Sequence, residues 1–211
     1  MRVKIKSLLI LMAVLFSMNA TAQNELKMDF AGFLWGNYGL SYEKILSNQM
    51  GVGGSANYYV ITFDSFGDDD GIEFTGFNVA PEFRFYFNSR NSNSGYFAGP
   101  YVKFGQTSSN LFPYVKDEQW VDGSRTNTTV ALGLGFGRKW VAPAGFVFET
   151  YSGYGKYLVD NIEYENKEQE EEYKGYDSAM SIFNFDWRVS VSVGWRFGNS
   201  AGRFGRGLRG F

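Results

Sequence analysis

The sequence predicts an all-β protein, an antiparallel up-and-down transmembrane β-barrel of about eight strands preceded by a cleaved signal peptide. Three observations carry that expectation. The last regular segment, Asp186 to Phe197, alternates strictly, with Trp187, Val189, Val191, Val193, Trp195 and Phe197 set against charged, hydroxylated or Gly residues. It is long enough to cross a bilayer when tilted and closes on alternating aromatics, as a membrane barrel strand does. The connections between such segments alternate short and long, and the chain opens with an export signal.

That signal consists of Arg2, Lys4 and Lys6, the apolar run Leu8 to Phe16, and Ala20-Thr21-Ala22 before Gln23. A membrane anchor would need about 20 apolar residues, roughly twice what is here. Residues 1–22 are therefore read as signal peptide, 23–198 as barrel, and 199–211 as a Gly- and Arg-rich periplasmic tail without fixed structure.

In the mature chain, Leu26 to Leu34 reads as the first strand, with Trp35-Gly36-Asn37 turning into Tyr38 to Leu46. Ser47 to Met50 makes the next turn, and Gly51 to Phe63 forms a third, Gly-rich strand. Asp68-Asp69-Asp70-Gly71 belongs to a loop. The fourth strand sets Phe77, Val79, Pro81, Phe83, Phe85 and Phe87 against Asn78, Ala80, Glu82, Arg84 and Tyr86. After a polar turn over 88–94, Tyr96 to Gln106 is the fifth strand, and Ser108 to Gly123 is a longer loop.

The sixth strand, Thr126 to Val141, alternates Val130, Leu132, Leu134, Phe136 and Trp140 with Ala131, Gly133, Gly135, Gly137 and Lys139. Ala142-Pro143-Ala144 turns into the seventh, Gly145 to Tyr157. Asp160 to Asp177 then holds eight acidic and two basic residues and reads as a long solvated loop. Turns after the second, fourth and sixth strands are short, whereas those after the third, fifth and seventh are longer and mostly more acidic. In bacterial barrels short turns face the periplasm, and an even strand number leaves both termini there. The short first turn breaks the parity, and a mis-split first hairpin would explain it.

Alternation alone also fits a soluble lipocalin-like barrel with its apolar face inward. Volume argues otherwise, because about eight strands leave an interior only just filled by side chains, and the apolar faces of the fourth and eighth strands are too bulky for it. Those faces belong against lipid. At the periplasmic end the outward positions Phe87, Tyr96, Trp140, Phe146, Trp195 and Phe197 would form an interfacial girdle. The composition agrees with β structure: 26 Gly, 19% aromatic residues and four Pro. A mean hydropathy of -0.26 looks soluble, but barrels hide their apolar residues at alternate positions.

The inward face mixes Gly with charges: Asp29, Glu43, Glu82, Glu149 and Asp186 against Lys27, Arg84, Lys103, Lys139, Arg188 and Arg196. Each Gly is expected to leave room for a long Arg or Lys from across the barrel. Enclosed charges must pair, since an unpaired one costs several kcal/mol. The set therefore reads as a salt-bridge plug, or alternatively as a gated conduit in which Arg84 or Lys139 switches partners. Glu82 and Arg84 share one strand, and Lys103 and Glu149 are their expected partners.

At Leu40-Ser41-Tyr42-Glu43, Pro81-Glu82-Phe83-Arg84-Phe85-Tyr86 and Gly99-Pro100-Tyr101, the chain resembles a family of uncharacterised small outer-membrane β-barrels. More distantly it is similar to the eight-stranded OmpA-type and OmpX-type barrels. The resemblance covers roughly residues 24 to 198 and implies fold and outer-membrane location, but no activity. No counterpart of the OmpA-type peptidoglycan-binding domain is expected after Phe197.

The chain has no His and no Cys, which removes Ser–His–Asp catalysis, His- or thiolate-ligated metals and thiol nucleophiles. The outer-membrane barrel enzymes resemble one another in relying on His, and this chain departs from all of them. Neither an enzyme nor a cofactor is expected. The Asp68 to Gly71 cluster fails EF-hand spacing, which would need acids at Phe66 and Phe77. Of 20 basic and 22 acidic residues the signal peptide holds three basic and no acidic, leaving 17 against 22, a charge of -5. Nucleic acid is thus excluded as a partner. The expected partners are outer-membrane lipid and lipopolysaccharide, the latter through cations bridging acidic loops to its phosphates, and a surface or periplasmic protein. The expected role is structural or surface interaction, with loops 108–123 and 158–182 as the contact surface; the alternative is a transporter or narrow channel for small or apolar molecules.

Overall fold

The computed structural model describes residues 23–63, 72–87, 94–110, 114–116, 119–121, 123–167, 169–171, 173 and 184–198. The expected signal peptide, the tail, Asp68 to Gly71 and parts of the two contact loops (111–113, 117–118, 122, 168, 172 and 174–182) lie outside the described residues.

Among the described residues, period-two alternation produces ten strands: β1 (Asn24–Asp29), β2 (Asn37–Ile45), β3 (Met50–Phe63), β4 (Ile72–Phe87), β5 (Gly95–Ser109), β6 (Tyr114–Lys116), β7 (Gln119–Val121), β8 (Arg125–Val141), β9 (Phe146–Tyr164) and β10 (Phe185–Phe197). Eight of them form a closed antiparallel barrel in the order β1-β2-β3-β4-β5-β8-β9-β10, and β10 returns to pair with β1. The closing register runs from Asn24 opposite Phe197 to Asp29 opposite Ser192. Closure leaves no sheet edge, a requirement for strands in lipid.

Three sequence expectations need correction. The first strand ends at Asp29 instead of running to Leu34, because the Asp29 side chain accepts a hydrogen bond from Gly32 N and caps a one-turn helix, α1 (Phe30–Phe33). Gly36 at φ 74° then brings the chain back, where a Cβ would collide with the Val60 carbonyl oxygen. The connection over 30–36 is therefore seven residues long, as long as the one over 88–94, and lies at the end of the barrel that carries the connections after β3, β5 and β9. Second, the stretch 108–123 carries the hairpin of β6 and β7. Third, β9 runs past Tyr157 to Tyr164 and takes in Asp160 and Glu163, pairing beyond a register shift at Val130/Ala131 with the start of β8.

The two barrel faces are inverted relative to a water-soluble protein. Leu134 and Val189 are 66% and 67% exposed, while Lys27 and Lys139 are buried at 1% and 0%. This decides between the two barrel types, since only a lipid surround stabilises such an apolar outer surface. All six girdle residues point outward and lie at the end carrying the short turns. There Phe87 is opposite Tyr96, Phe146 opposite Trp195, and Phe197 opposite Asn24. Gly145, at φ 95°, closes the tight turn after β8, and its carbonyl accepts from Arg196 N at 2.7 Å.

On β10, Val191 faces outward and Ser190 lines the interior. Val191→Arg is expected to lower stability by about 2–4 kcal/mol through the bilayer penalty, whereas Ser190→Arg escapes that term. Reversible urea unfolding in lipid vesicles measures both, and equal losses would refute the assignment of faces.

Candidate functional site: a charge network across the lumen

The lumen narrows to a cluster of four carboxylates and four cations contributed by six strands. Glu25 and Lys27 come from β1, Glu43 from β2, Glu82 and Arg84 from β4, Lys139 from β8, Glu149 from β9 and Arg196 from β10. Each projects inward because it occupies the inner phase of its strand's alternation. Glu43 is the hub, with Oε2 accepting from Arg84 at 2.8 Å, Lys139 at 3.0 Å and Lys27 at 3.3 Å. Its Oε1 accepts from the Tyr86 hydroxyl. Glu149 Oε2 takes Lys27 at 2.6 Å and Arg84 at 2.7 Å. Glu25 takes Lys139 at 2.8 Å and also pairs with Arg196, and Glu82 receives Arg84 Nε at 2.7 Å.

The two remaining barrel strands contribute space and an aromatic face. A Cβ on Gly51 of β3 would collide with Glu43 Oε1, so the hub carboxylate occupies room that only Gly leaves. Phe97 of β5 lies 4.4 Å from the Arg84 guanidinium and stacks with Tyr151. The lumenal glycines mostly serve aromatics and not the long cations expected. Added Cβ atoms at Gly133, Gly135 and Gly137 would meet the rings of Tyr101, Tyr151 and Phe97, and among the described glycines only Gly194 lies against a Lys side chain, that of Lys27.

Nearer the long connections, Asp186 pairs with Lys103 and accepts from Tyr101 Oη at 2.7 Å and Tyr157 Oη at 3.3 Å. Arg188 is held differently. It donates to Ser55 Oγ at 2.7 Å and Tyr151 Oη at 3.2 Å, and lies 4.7 Å and 5.0 Å from the Tyr101 and Tyr151 rings, with no carboxylate paired to it among the described residues. Asp29 is the reciprocal case, accepting from the backbone N of Gly32 and Val191. Both line a polar cavity of about 170 Å³ together with Asn37, Ser55, Asn57 and Asn78.

The structure thus brings Lys27, Glu43, Glu82, Arg84, Lys139, Glu149 and Arg196 into one network, and leaves Asp29, Lys103 and Arg188 outside it. Glu149 meets Arg84, but Glu82 does not take Lys103, which is committed to Asp186. Glu25, buried at 0%, is the residue sequence reasoning missed. A strand read as starting at Leu26 leaves it out, although the same period extended by one residue puts Glu25 on the face of Lys27 and Asp29. Among the described residues there is no group of His, Cys, Asp or Glu arranged to hold a metal.

Breaking one buried pair leaves its partner's charge stranded. Glu149→Gln is expected to cost about 3–5 kcal/mol, with Lys27→Met added to it restoring part of the loss. Glu82→Gln and Lys103→Met should instead add to within about 0.5 kcal/mol. Urea midpoints for both cycles test the pairing, and additivity at Glu149/Lys27 would contradict it.

Comparison with solved structures finds the same fold at low identity. CarO2 of Acinetobacter baumannii matches with 9% identity over 83% of this chain and 98% of that one, at a TM-score of 0.50. CarO of the same organism gives 11%, 86%, 99% and 0.46, and a major outer membrane protein of Thermus thermophilus gives 14%, 84%, 100% and 0.45. The chain is an outer-membrane β-barrel of this small type. A search of curated proteins gives no match. The family model described as "Protein of unknown function (DUF3575)" matches residues 7–195, nearly the whole chain, and the protein belongs to that family.

Proposed function

We propose that the protein is a non-enzymatic outer-membrane barrel whose lumen is closed by ion pairs and whose task is structural or surface interaction. One observation carries this reading: the charge-balanced network from Glu25 to Arg196 joins six of the eight barrel strands across the lumen, with every member ion-paired. A network of that kind resists opening, because displacing one side chain strands several charges. The absence of His and Cys supports a non-enzymatic role. Both termini are assigned to the periplasm and the acidic connections to the cell surface, where they could meet cations, lipopolysaccharide or a protein partner.

A transporter or narrow channel is the second reading, favoured by the cavity beside Arg188, which has guanidinium, amide and hydroxyl groups available to a small polar solute. Planar-bilayer recordings separate the two. The closed reading expects no steady open-channel current from the wild type, and such currents would overturn it. Heat-modifiable gel mobility verifies that the protein recorded is folded.

The Cys-free chain also allows a direct test of orientation. In intact cells a membrane-impermeant maleimide should label Asp69→Cys in a long connection and leave Ala144→Cys in a short turn unlabelled. The opposite pattern would invert the assignment.

A further inference from the structure

The lipid-facing surface carries one feature that the closed lumen does not explain. Arg138 of β8 points outward and is exposed, at the end of the barrel with the short turns. Its guanidinium lies 4.9 Å from the Tyr96 ring centroid and 4.6 Å from that of Trp140, and Nη1 donates to Tyr96 Oη at 3.2 Å. Two girdle aromatics thus hold the planar cation in place. Among the described residues no carboxylate pairs with it. The connecting segments at this end, 46–49, 88–94 and 142–145, contain no Asp or Glu and one Arg, Arg90.

Beside Arg138 the outer wall is hollowed. Ala98, Thr150 and Ser152 are small residues among large outward neighbours, and with Tyr96, Phe136 and Val191 they line a largely apolar furrow of about 470 Å³. A fixed guanidinium at the mouth of an apolar furrow, within an aromatic girdle, complements a molecule with a phosphate at one end and a hydrocarbon chain at the other.

We infer that Arg138, Tyr96 and Trp140 form a binding site for the phosphate of a glycerophospholipid, one acyl chain of which occupies the Ala98–Thr150–Ser152 furrow. The short-turn end faces the phospholipid leaflet in the orientation proposed above, which selects glycerophospholipid over the phosphorylated lipid of the opposite leaflet. The inference depends on the outer-membrane location and that orientation, and is independent of whether the lumen conducts.

Native mass spectrometry of the folded, detergent-solubilised full chain tests it, with phosphatidylglycerol, diacylglycerol and lipid A offered separately. The wild type should retain phosphatidylglycerol under conditions that strip diacylglycerol, which lacks the phosphate. Arg138→Gln should lower that retention about tenfold, with Arg138→Lys intermediate because it keeps the charge but loses the fork. Ser152→Leu, which fills the furrow and leaves Arg138 intact, should also lower it. Unchanged retention in Arg138→Gln, equal retention of diacylglycerol, or preference for lipid A would each overturn the site. If Arg138→Gln does not fold by gel mobility, the wild-type lipid selectivity and Ser152→Leu decide the matter alone. The cysteine-labelling test of orientation is separate, so a failed lipid site and a wrong orientation are distinguishable.

Discussion

The pairing of β1 with β10 is the contact on which the barrel depends. Without it two rows of backbone N–H and C=O groups would face hydrocarbon, where no water can satisfy them. Yet β1 is the shortest barrel strand, six residues against thirteen in β10. The ion network reinforces this weakest join. Arg196 of β10 meets Glu25 of β1 directly across the seam, and Lys27 of β1 reaches Glu149 of β9 on one side and Glu43 of β2 on the other. Charges that look like a stopper when viewed along the axis are, viewed from the side, cross-links holding the first strand to its neighbours.

The interior also shows how a narrow barrel is filled without an apolar core. Tyr86, Phe97 and Tyr151 form the only buried apolar cluster among the described residues, and the Arg84 guanidinium lies against Phe97. The rings of Tyr101, Tyr151 and Phe97 fit where β8 presents Gly133, Gly135 and Gly137. Small residues on one strand thus accommodate large ones on the next, and the charged groups occupy the space left over. The packing and the electrostatics are coupled, since the rings that fill the lumen also face its cations.

Most of this was legible from a single periodicity. Alternation of two residues determines which face each side chain takes, so the inward charges and outward aromatics follow once a strand is recognised. What alternation cannot supply is the partner across the lumen, because that depends on the stagger between strands far apart in sequence. Glu82 and Lys103 sit on adjacent strands, yet Lys103 belongs to Asp186 of β10, a relation no local pattern contains. Strand ends were the other weakness. The Asp29 cap turned an apparent strand into helix, and sheet pairing with β8 carried β9 into a segment whose charge suggested a loop. In both places a specific hydrogen-bonding partner overrode composition. The glycines do make room, but for Tyr and Phe rings more than for Lys or Arg.

The unequal strand lengths give the barrel a high side and a low side. β4, β5, β8 and β9 span fifteen to nineteen residues, whereas β1, β2 and β10 span six to thirteen. Paired residues from Arg125 to Val130 and Val159 to Tyr164 continue the tall wall by roughly 15 Å once strand tilt is included. The low side is topped by α1 and its following turn, with Phe30, Phe33, Leu34 and Trp35 all exposed, a composition suited to the lipid interface. The barrel is therefore not rotationally uniform in the plane of the bilayer. Among the described residues, a neighbour approaching in the plane of the bilayer meets a low rim from one direction and a rampart of sheet from the others, so this part of the protein presents a front and a back.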